Sequence, residues 1–372
     1  MRITHKIRIY PNKAMEARFR ACFGYSRYVY NKALELWEQM YKAGEKPNNW
    51  KVRDRYRKTL KQDWEWEYPS LVLDTAIDHL ATGYQRFWKK LGRKPKFKTK
   101  KKARQSFEVY RKDEYTIRVI GKKLYLPKMK GIRMAETPML EGTIKRAIVT
   151  SRAGKYWVSL AIELSEDEVQ HTYRSTESLP TVGVDVNIGH FDLSEELGRK
   201  TTPLRRLTPL YERISVYQRR LSRKTPGSKK YEAMMTKLQR TYLKIQDIQD
   251  DWLHKFTTDL TQKYHTIVIE DLNVQGMLSN RRIAKQISRS LFYRFKTQLT
   301  YKAELYGNRL VIADKWYPST QLCSVCGHRK TGADKLSLSD RTYHCDSCNS
   351  ILDRDYNSAC NLKLYAEQAG YA

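Results

Sequence analysis

Two kinds of metal ligand stand side by side in "CDSCNSILDRDYN", Cys345 to Asn357. The Cys-x-x-Cys pair suits a soft ion, whereas Asp353 and Asp355, within seven residues of Cys348, suit a hard one. Upstream, Cys323 and Cys326 form another such pair, and 18 residues separate Cys326 from Cys345. Four thiolates on two tight turns complete a tetrahedron, the spacing of a zinc ribbon, and binding then folds a segment too small to hold itself together. Such a site has no open coordination position, so one structural Zn²⁺ is expected on Cys323, Cys326, Cys345 and Cys348. His328 and His344 are near enough to replace a thiolate, but surface or phosphate-contacting roles are the plainer reading. Cys22 and Cys360 stand alone. Paired knuckles in a basic chain with no secretion signal argue for zinc in a reducing cytosol rather than disulfides.

Three carboxylates stand out by context. Asp185 lies inside "VGVDV", Glu270 ends the apolar run "TIVIE", and Asp355 opens the last helix. An acid at the end of a buried strand costs several kcal/mol unless it is paired or metal-bound. Taken singly, each reads as a capped or salt-bridged group, and Asp355 as an N-cap. Taken together, strand-Asp, strand-Glu and helix-Asp, with a helix between the strands, match the way an RNase H-like sheet gathers three acids at one edge. Such acids hold two Mg²⁺ about 4 Å apart, one activating water and one stabilising the leaving 3′-oxygen of a phosphodiester.

The elements that must position these groups follow from periodicity. Residues 3–10 alternate as a strand that Pro11 ends. From Lys13 to about Lys90 the pattern is helical, and "YPSLVLDTAIDHLATGYQRFWKK" forms a second amphipathic helix with Ser70 as its expected cap. "RKPKFKTKKKAR" is a Lys-rich connector and an expected boundary. From Ser106 to Leu164 the period is two, with hairpins turning at Gly121 and near Ala153-Gly154. These strands and the first one are expected to form a small barrel, residues 1–10 and 105–180, into which a helical segment, 11–104, is inserted. An acidic linker leads to a second half, 181–372, containing a helical hairpin (205–263), a buried strand "HTIVIEDLN", a helix over 285–305, a strand "RLVIADKW", a ribbon (318–352) and a last helix over 355–368. The stripe Leu207, Leu210, Ile214, Tyr217, Leu221 runs down one arm of the hairpin, and Met234, Leu238, Tyr242, Ile245, Trp252, Phe256 back up the other.

Charge names the class of partner. The 372-residue chain has 71 Lys and Arg against 40 Asp and Glu, a net charge of +31, which a polyanion would compensate. Its 26 Tyr and 8 Trp add stacking surfaces that suit nucleic acid better than a membrane. No apolar run approaches the ~20 residues of a membrane span, and "MRITHKIRIYPNK" lacks the apolar core of a signal peptide. Lys and Arg fill 11 of the 19 positions from Arg86 to Arg104. Against this net charge, Lys94, Lys96, Lys98, Lys100, Lys101, Lys102 and Arg104 read as phosphate contacts rather than a solvated linker. Arg281 and Arg282, in "SNRRIAKQISR", form a second basic segment.

Several stretches carry a family resemblance, in order and across nearly the whole length: "RIYPNKAMEARF", "YSRYVYNKALE", "KPKFKTKK", "VGVDVNIGHF", "DDWLHKFTTDL", "IVIEDLNVQGM", "YPSTQLCSVCG" and "YHCDSCNSILDRDYNSACNL". On these the chain resembles TnpB, the transposon-encoded RNA-guided DNA endonucleases ancestral to type V CRISPR effectors. The resemblance implies an α/β and β multidomain protein. It would comprise an RNase H-like (RuvC) domain with an inserted zinc ribbon and a β-barrel wedge domain with a helical recognition insert. It puts a catalytic triad binding two Mg²⁺ on Asp185, Glu270 and Asp355, with Asp353 the lesser candidate, and it implies cleavage of both DNA strands. It places the ribbon between the last strand and last helix, where the clamp would deliver Asp355.

The implied partners are a guide RNA, which selects the target by pairing, and double-stranded DNA beside a short target-adjacent motif. Ser70, Asp74 and Tyr110 fall in segments implied to read that motif, and Arg281 and Arg282 in one lining the duplex channel. The implied setting is prokaryotic and cytoplasmic, nucleoid-associated when DNA-bound, with no membrane partner and a monomer in the RNA complex. One departure stands out: Asn187 occupies a position where the family commonly carries glycine, and "DLSEELGRK" replaces a usual "sDG" stretch. The rival readings are a nuclease-inactive RNA-guided repressor, an acidic-triad transposase and a miniature CRISPR effector.

Overall fold

Strand β1 (Arg2–Tyr10) gives way at Pro11 to helix α1 (Lys13–Lys42), whose N-cap Asn12 accepts a hydrogen bond from the Met15 amide at 2.8 Å. The computed structural model describes residues 1–100, 103–139, 142–172, 176–195, 198–337 and 339–370. They form two compact units, 1–169 and 170–372.

In the first unit, α2 (Asn49–Arg55) runs into a single π turn, and α3 (Ser70–Trp88) follows. Then come β2 (Gln105–Tyr110), β3 (Arg118–Ile120), β4 (Lys123–Tyr125), β5 (Ile132–Met134), β6 (Thr143–Arg152) and β7 (Lys155–Glu163). The order β2-β6-β7-β1-β5-β4-β3 is one antiparallel sheet that includes the chain's first strand. The β6–β7 turn takes positive φ at both Ala153 (52°) and Gly154 (76°), the twist-matched hairpin geometry. Among the described residues β2 and β3 are edges and do not pair with each other, so the small barrel expected is a half-barrel.

The helices that lie between β1 and β2 in the chain pack directly on this sheet. Phe19 and Phe23 of α1 pack on Phe107 of β2, Phe19 also meets Tyr156 of β7, and Thr75 of α3 donates to the Glu108 carbonyl at 2.9 Å. An aromatic core shared by helix and sheet makes 11–104 part of the same unit. The expected cap is also corrected. Pro69 occupies the N-cap of α3, no side chain caps it, and Ser70 is its exposed first residue.

Helix α4 (Glu166–Thr172) leads to the second unit. It comprises β8 (Val182–Val186), β9 (His190–Leu193), β10 (Lys200–Thr201), α5 (Leu204–Ser222), α6 (Lys229–Lys263), β11 (Thr266–Glu270), α7 (Val274–Ser279), α8 (Ala284–Ile287), α9 (Phe292–Tyr306), β12 (Arg309–Ala313), β13 (Thr342–His344), β14 (Ile351–Asp353) and α10 (Arg354–Gln368). Its main sheet has the order β10-β9-β8-β11-β12: β8, β11 and β12 are parallel, β9 and β10 antiparallel.

Alternation along the strands decides which face each side chain takes. Val182, Val184, Val186, Ile267 and Ile269 enter a core with Leu253, Phe256 and Leu260 of α6 and Phe295 and Leu299 of α9. Val268 and Val311 point the other way, onto Leu362 and Ala366 of α10. The period therefore puts Gly183, Asp185 and Glu270 on the α10 face. A Cβ on Gly183 would lie 2.0 Å from the Ala359 carbonyl, so only glycine lets α10 approach this closely.

The long α6 serves two cores. Leu238 and Ile245 pack on Leu207, Leu210 and Ile214 of α5, while Leu253 and Phe256 face the sheet. Tyr242, expected in the stripe, is exposed. The expected helix 285–305 is two helices, interrupted between Ile287 and Phe292.

Candidate active site and metal centre

The four cysteines are set by two matching turns. After each Cys-x-x-Cys a residue takes positive φ, Gly327 (75°) and Asn349 (55°), and donates its amide back to the first cysteine's carbonyl at 2.9 Å in both cases. The amides of Cys323 and Cys345 then donate to the His328 and Ser350 carbonyls, both at 2.9 Å. The Sγ atoms of Cys323 and Cys348 lie 3.7 Å apart, those of Cys326 and Cys345 3.6 Å, and all four lie within 4.8 Å of one another. Four thiolates about 2.3 Å from a central Zn²⁺ span tetrahedron edges of about 3.8 Å, so this set fits that ion. Four thiols able to hold a metal are thus preformed by backbone.

The last helix is bolted to this clamp. Asn357 Nδ2 donates to the Leu322 carbonyl at 2.6 Å, and its Oδ1 accepts from the Ser324 amide at 2.9 Å. Asn361 Nδ2 donates to the Ser319 and Leu322 carbonyls at 2.8 and 2.7 Å. At the helix start, Asp353 Oδ1 accepts from the amides of Asp355 (3.0 Å) and Tyr356 (3.1 Å). Asp353 is therefore the N-cap. That frees Asp355, in the first turn and 4% exposed, to point inward.

Asp185 and Glu270 meet it at one end of the sheet. Ile269 pairs with Val184 in register, which sets Glu270 beside Asp185, and Ser358 on α10 donates to Asp185 Oδ1 at 3.1 Å. Asn187 Nδ2 donates to Asp185 Oδ2 at 2.6 Å, and the Ser319 hydroxyl donates to Glu270 Oε1. These donors are neutral, and both acids are held in their protonated form more strongly than usual. Burial pushes the Asp185 carboxyl well above the ordinary range, and the charges of Glu270 and Asp355 add to it. Burial likewise raises Glu270. Asp355 goes the other way: burial opposes its charge, but hydrogen bonds from Arg354 (Nη2, 2.8 Å) and His190 (Nε2, 3.2 Å) outweigh that and lower it. Crowded carboxylates with a deficit of positive charge fit a cation.

The sequence reading did not count two further residues of this face as site residues. Asp192 pairs directly across from Asp185, and His190 is two residues before it, so alternation points both toward α10. His190, Asp192 and Asp355 present ligand atoms within 4.8 Å of one another, a second group able to hold a metal ion. Arg199 spans them, its Nε 2.6 Å from Asp192 and its Nη2 3.1 Å from Asp353. The hairpin "VDVNIGHFD" carried the signal, because acids seven apart across a tight turn pair on one face.

The expected nucleic-acid contacts divide. Lys96, Lys100 and Arg104 are exposed, as are Arg281 and Arg282 between α7 and α8. Lys94 pairs with Glu38 at 3.0 Å. Lys98 is half-buried: its amine sits 3.5 Å from the Tyr30 ring centre, its backbone is tied to Asn31, and burial lowers its pKa to about 8. Lys101 and Lys102 lie outside the described residues. Asp74 is buried between Arg53 and Arg57, and Tyr110 donates to it at 3.3 Å, so its carboxylate is committed within the unit.

The chain is 33% identical over 366 residues, covering 96% of it and 87% of its relative, to a Streptomyces pristinaespiralis protein called "Putative RNA-guided DNA endonuclease". The chain belongs to the TnpB family. A second member, "Putative RNA-guided DNA endonuclease InsQ" of Escherichia coli K12, is 26% identical over 96% of this chain and 90% of its own length. Family models described as "Cas12f1-like, TNB domain", "Probable transposase" and "Helix-turn-helix domain" match residues 292–362, 165–281 and 1–46. The last of these covers β1 and one unbroken helix, α1. A solved "Cas12f1-sgRNA-target DNA complex" aligns over 98% of this chain and 99% of that one, at 13% identity and a TM-score of 0.37. Among the described residues no helix is long and apolar enough to cross a membrane. Against the TnpB pattern, the departure at Asn187 has a structural role, since its amide orients the Asp185 carboxylate.

Proposed function

We propose that this chain is a TnpB-type RNA-guided DNA endonuclease that hydrolyses both strands of DNA beside a short target-adjacent motif. Its RuvC-like site would use Asp185, Glu270 and Asp355 to bind two Mg²⁺, and Cys323, Cys326, Cys345 and Cys348 would hold a structural Zn²⁺. The observation that carries this reading is the convergence of buried Asp185 and half-buried Glu270, whose hydrogen-bond partners among the described residues are all neutral. A fold does not leave such charge together for stability's sake. Mg²⁺, when bound, supplies an activated water and charge stabilisation for the leaving oxygen.

The chain's own residues do the positioning. Asn187 and Ser358 fix the two oxygens of Asp185, Ser319 fixes Glu270, and His190 and Arg354 fix Asp355. Asn357 and Asn361 make the ribbon and the catalytic helix one body, so the thiol clamp is the brace for the carboxylate site. The guide RNA would read sequence by pairing, while exposed Lys96, Lys100, Arg104, Arg281 and Arg282 hold phosphates without sequence choice.

The test is to purify the chain with its co-purifying RNA, sequence that RNA, and challenge the complex with DNA complementary to it. Cleavage of both strands with Mg²⁺, lost in Asp185→Ala while RNA stays bound, is the expected result. Binding without cutting would favour an RNA-guided repressor, and joined products a transposase.

A further inference from the structure

A cavity of about 430 Å³ opens at the carboxyl ends of β8 and β11, on the side away from α10. Its walls are apolar: Val186 and Ile269 from the sheet, Phe292 and Phe295 from α9. Glu270 forms part of its lining, so the cavity and the carboxylate cluster share one acid at the strand end. Tyr293 also lines it and is 74% exposed, and Lys296 and Lys315 complete the lining. A smaller cavity shares Glu270 and Lys315, extending the depression across the strand end toward Tyr317.

We propose that this cavity seats one unpaired nucleobase of the DNA strand being cut, the base next to the phosphodiester held at Asp185, Glu270 and Asp355; this rests on the nuclease reading above. Three features select that occupant. The position is where open parallel sheets bind ligands, beyond the carboxyl ends of their strands. The walls offer flat apolar contact and an exposed ring for a base's π-face, with Lys315 where a flanking phosphate would lie. The volume admits a base but no duplex, so the nucleotide must leave its stack and its partner to enter.

The cavity also says how the base is recognised. Of its polar side chains, Asn273 accepts the Gly276 amide at 3.0 Å and Lys296 pairs with Asp271 at 2.8 Å, which leaves Gln275. One amide is little for reading a base edge, so contact is mainly by stacking and tolerates any of the four bases. A requirement for an unpaired base would keep this site from cutting intact duplex until pairing with the guide has opened it.

The experiment uses the purified protein–RNA complex and a series of target DNAs, each with a single abasic site moved stepwise through the positions flanking the cut. Single-turnover cleavage by the wild-type chain should slow roughly tenfold at one position beside the scissile phosphate, within the range that losing one stacking contact produces. Tyr293→Ala should slow cutting of intact DNA by a similar factor and show no further loss at that abasic position, while Tyr293→Phe should behave as wild type. Equal rates at every abasic position, with cutting intact, would overturn the base seat and leave the nuclease reading standing. A wild-type complex that cuts nothing would overturn both.

Discussion

Buried acids occur in both units, and their surroundings differ in kind. In the first unit, Asp74 lies against Arg53 and Arg57, and Glu108 is held by His79 at 2.8 Å and Arg146 at 2.8 Å. In the second, Asp185 and Glu270 meet only amide and hydroxyl donors. Asp74, Glu108 and Asp185 are buried and Glu270 is half-buried, so burial alone does not tell the two sets apart. The charge left over does. The first unit closes its account locally, whereas the second holds negative charge open at one sheet edge.

The hardest blow to this contrast falls on the element that delivers Asp355. Cys345→Ser, or a zinc chelator, removes binding energy on the order of 10 kcal/mol from the ribbon. Hydrogen exchange should then rise sharply over 318–352 and cleavage should vanish, while exchange in β6 and β7 stays unchanged. Protection retained across the ribbon would mean that no metal holds it. Next, Asp185→Asn should cut cleavage by roughly a thousandfold or more, the several kcal/mol that such ligation supplies. Because it removes uncompensated buried charge, the same change should leave thermal stability equal or raised.

Asp74→Asn provides the mirror image. It leaves Arg57 without its carboxylate while Arg53 keeps Asp78 at 2.7 Å, and should lower stability by about 2 kcal/mol, read by denaturant unfolding; opposite signs at these two positions are the sharpest form of the comparison. Gly183→Ala forces α10 away from β8 and should cost roughly 2 kcal/mol with a matching loss of cleavage. The smallest effect is a pH slope. Burial opposes the Glu108 charge, but His79 and Arg146 outweigh it and lower its pKa. Stability from this group is present above the unfolded carboxylate range and is lost as pH falls through the folded value. Glu108→Gln should flatten that acid-side slope by about 1 kcal/mol, followed by hydrogen exchange in β2.

Those signs depend on partners, and partners are what the sequence concealed. Asp185 and Glu270 stand out in the sequence as acids within the apolar runs "VGVDV" and "TIVIE", and the two knuckles announce their own geometry. Nothing local in "LVLDTAID" reveals that Arg53 and Arg57 close over Asp74, because a tertiary packing of α2 on α3 brings them there. Lys98 reads like its basic neighbours until Asn31 pins it over Tyr30. Asp192 lies seven residues past Asp185, a spacing that sets the two side by side once β8 and β9 form a hairpin. The break before Phe292 has a similar cause: "SRSL" carries no proline or glycine to mark it.

Strand β14 ends at Asp353 and α10 begins at Arg354, with no spacer between them. One extra residue at that junction would turn everything downstream by about 100°, carrying the carboxylate of Asp355 round to a different side. Insertions and deletions should therefore be purged at this joint and tolerated at the ribbon's outer tip, around Gly332–Asp334. An engineer wishing to splice in a tag or a second domain has the same map to follow.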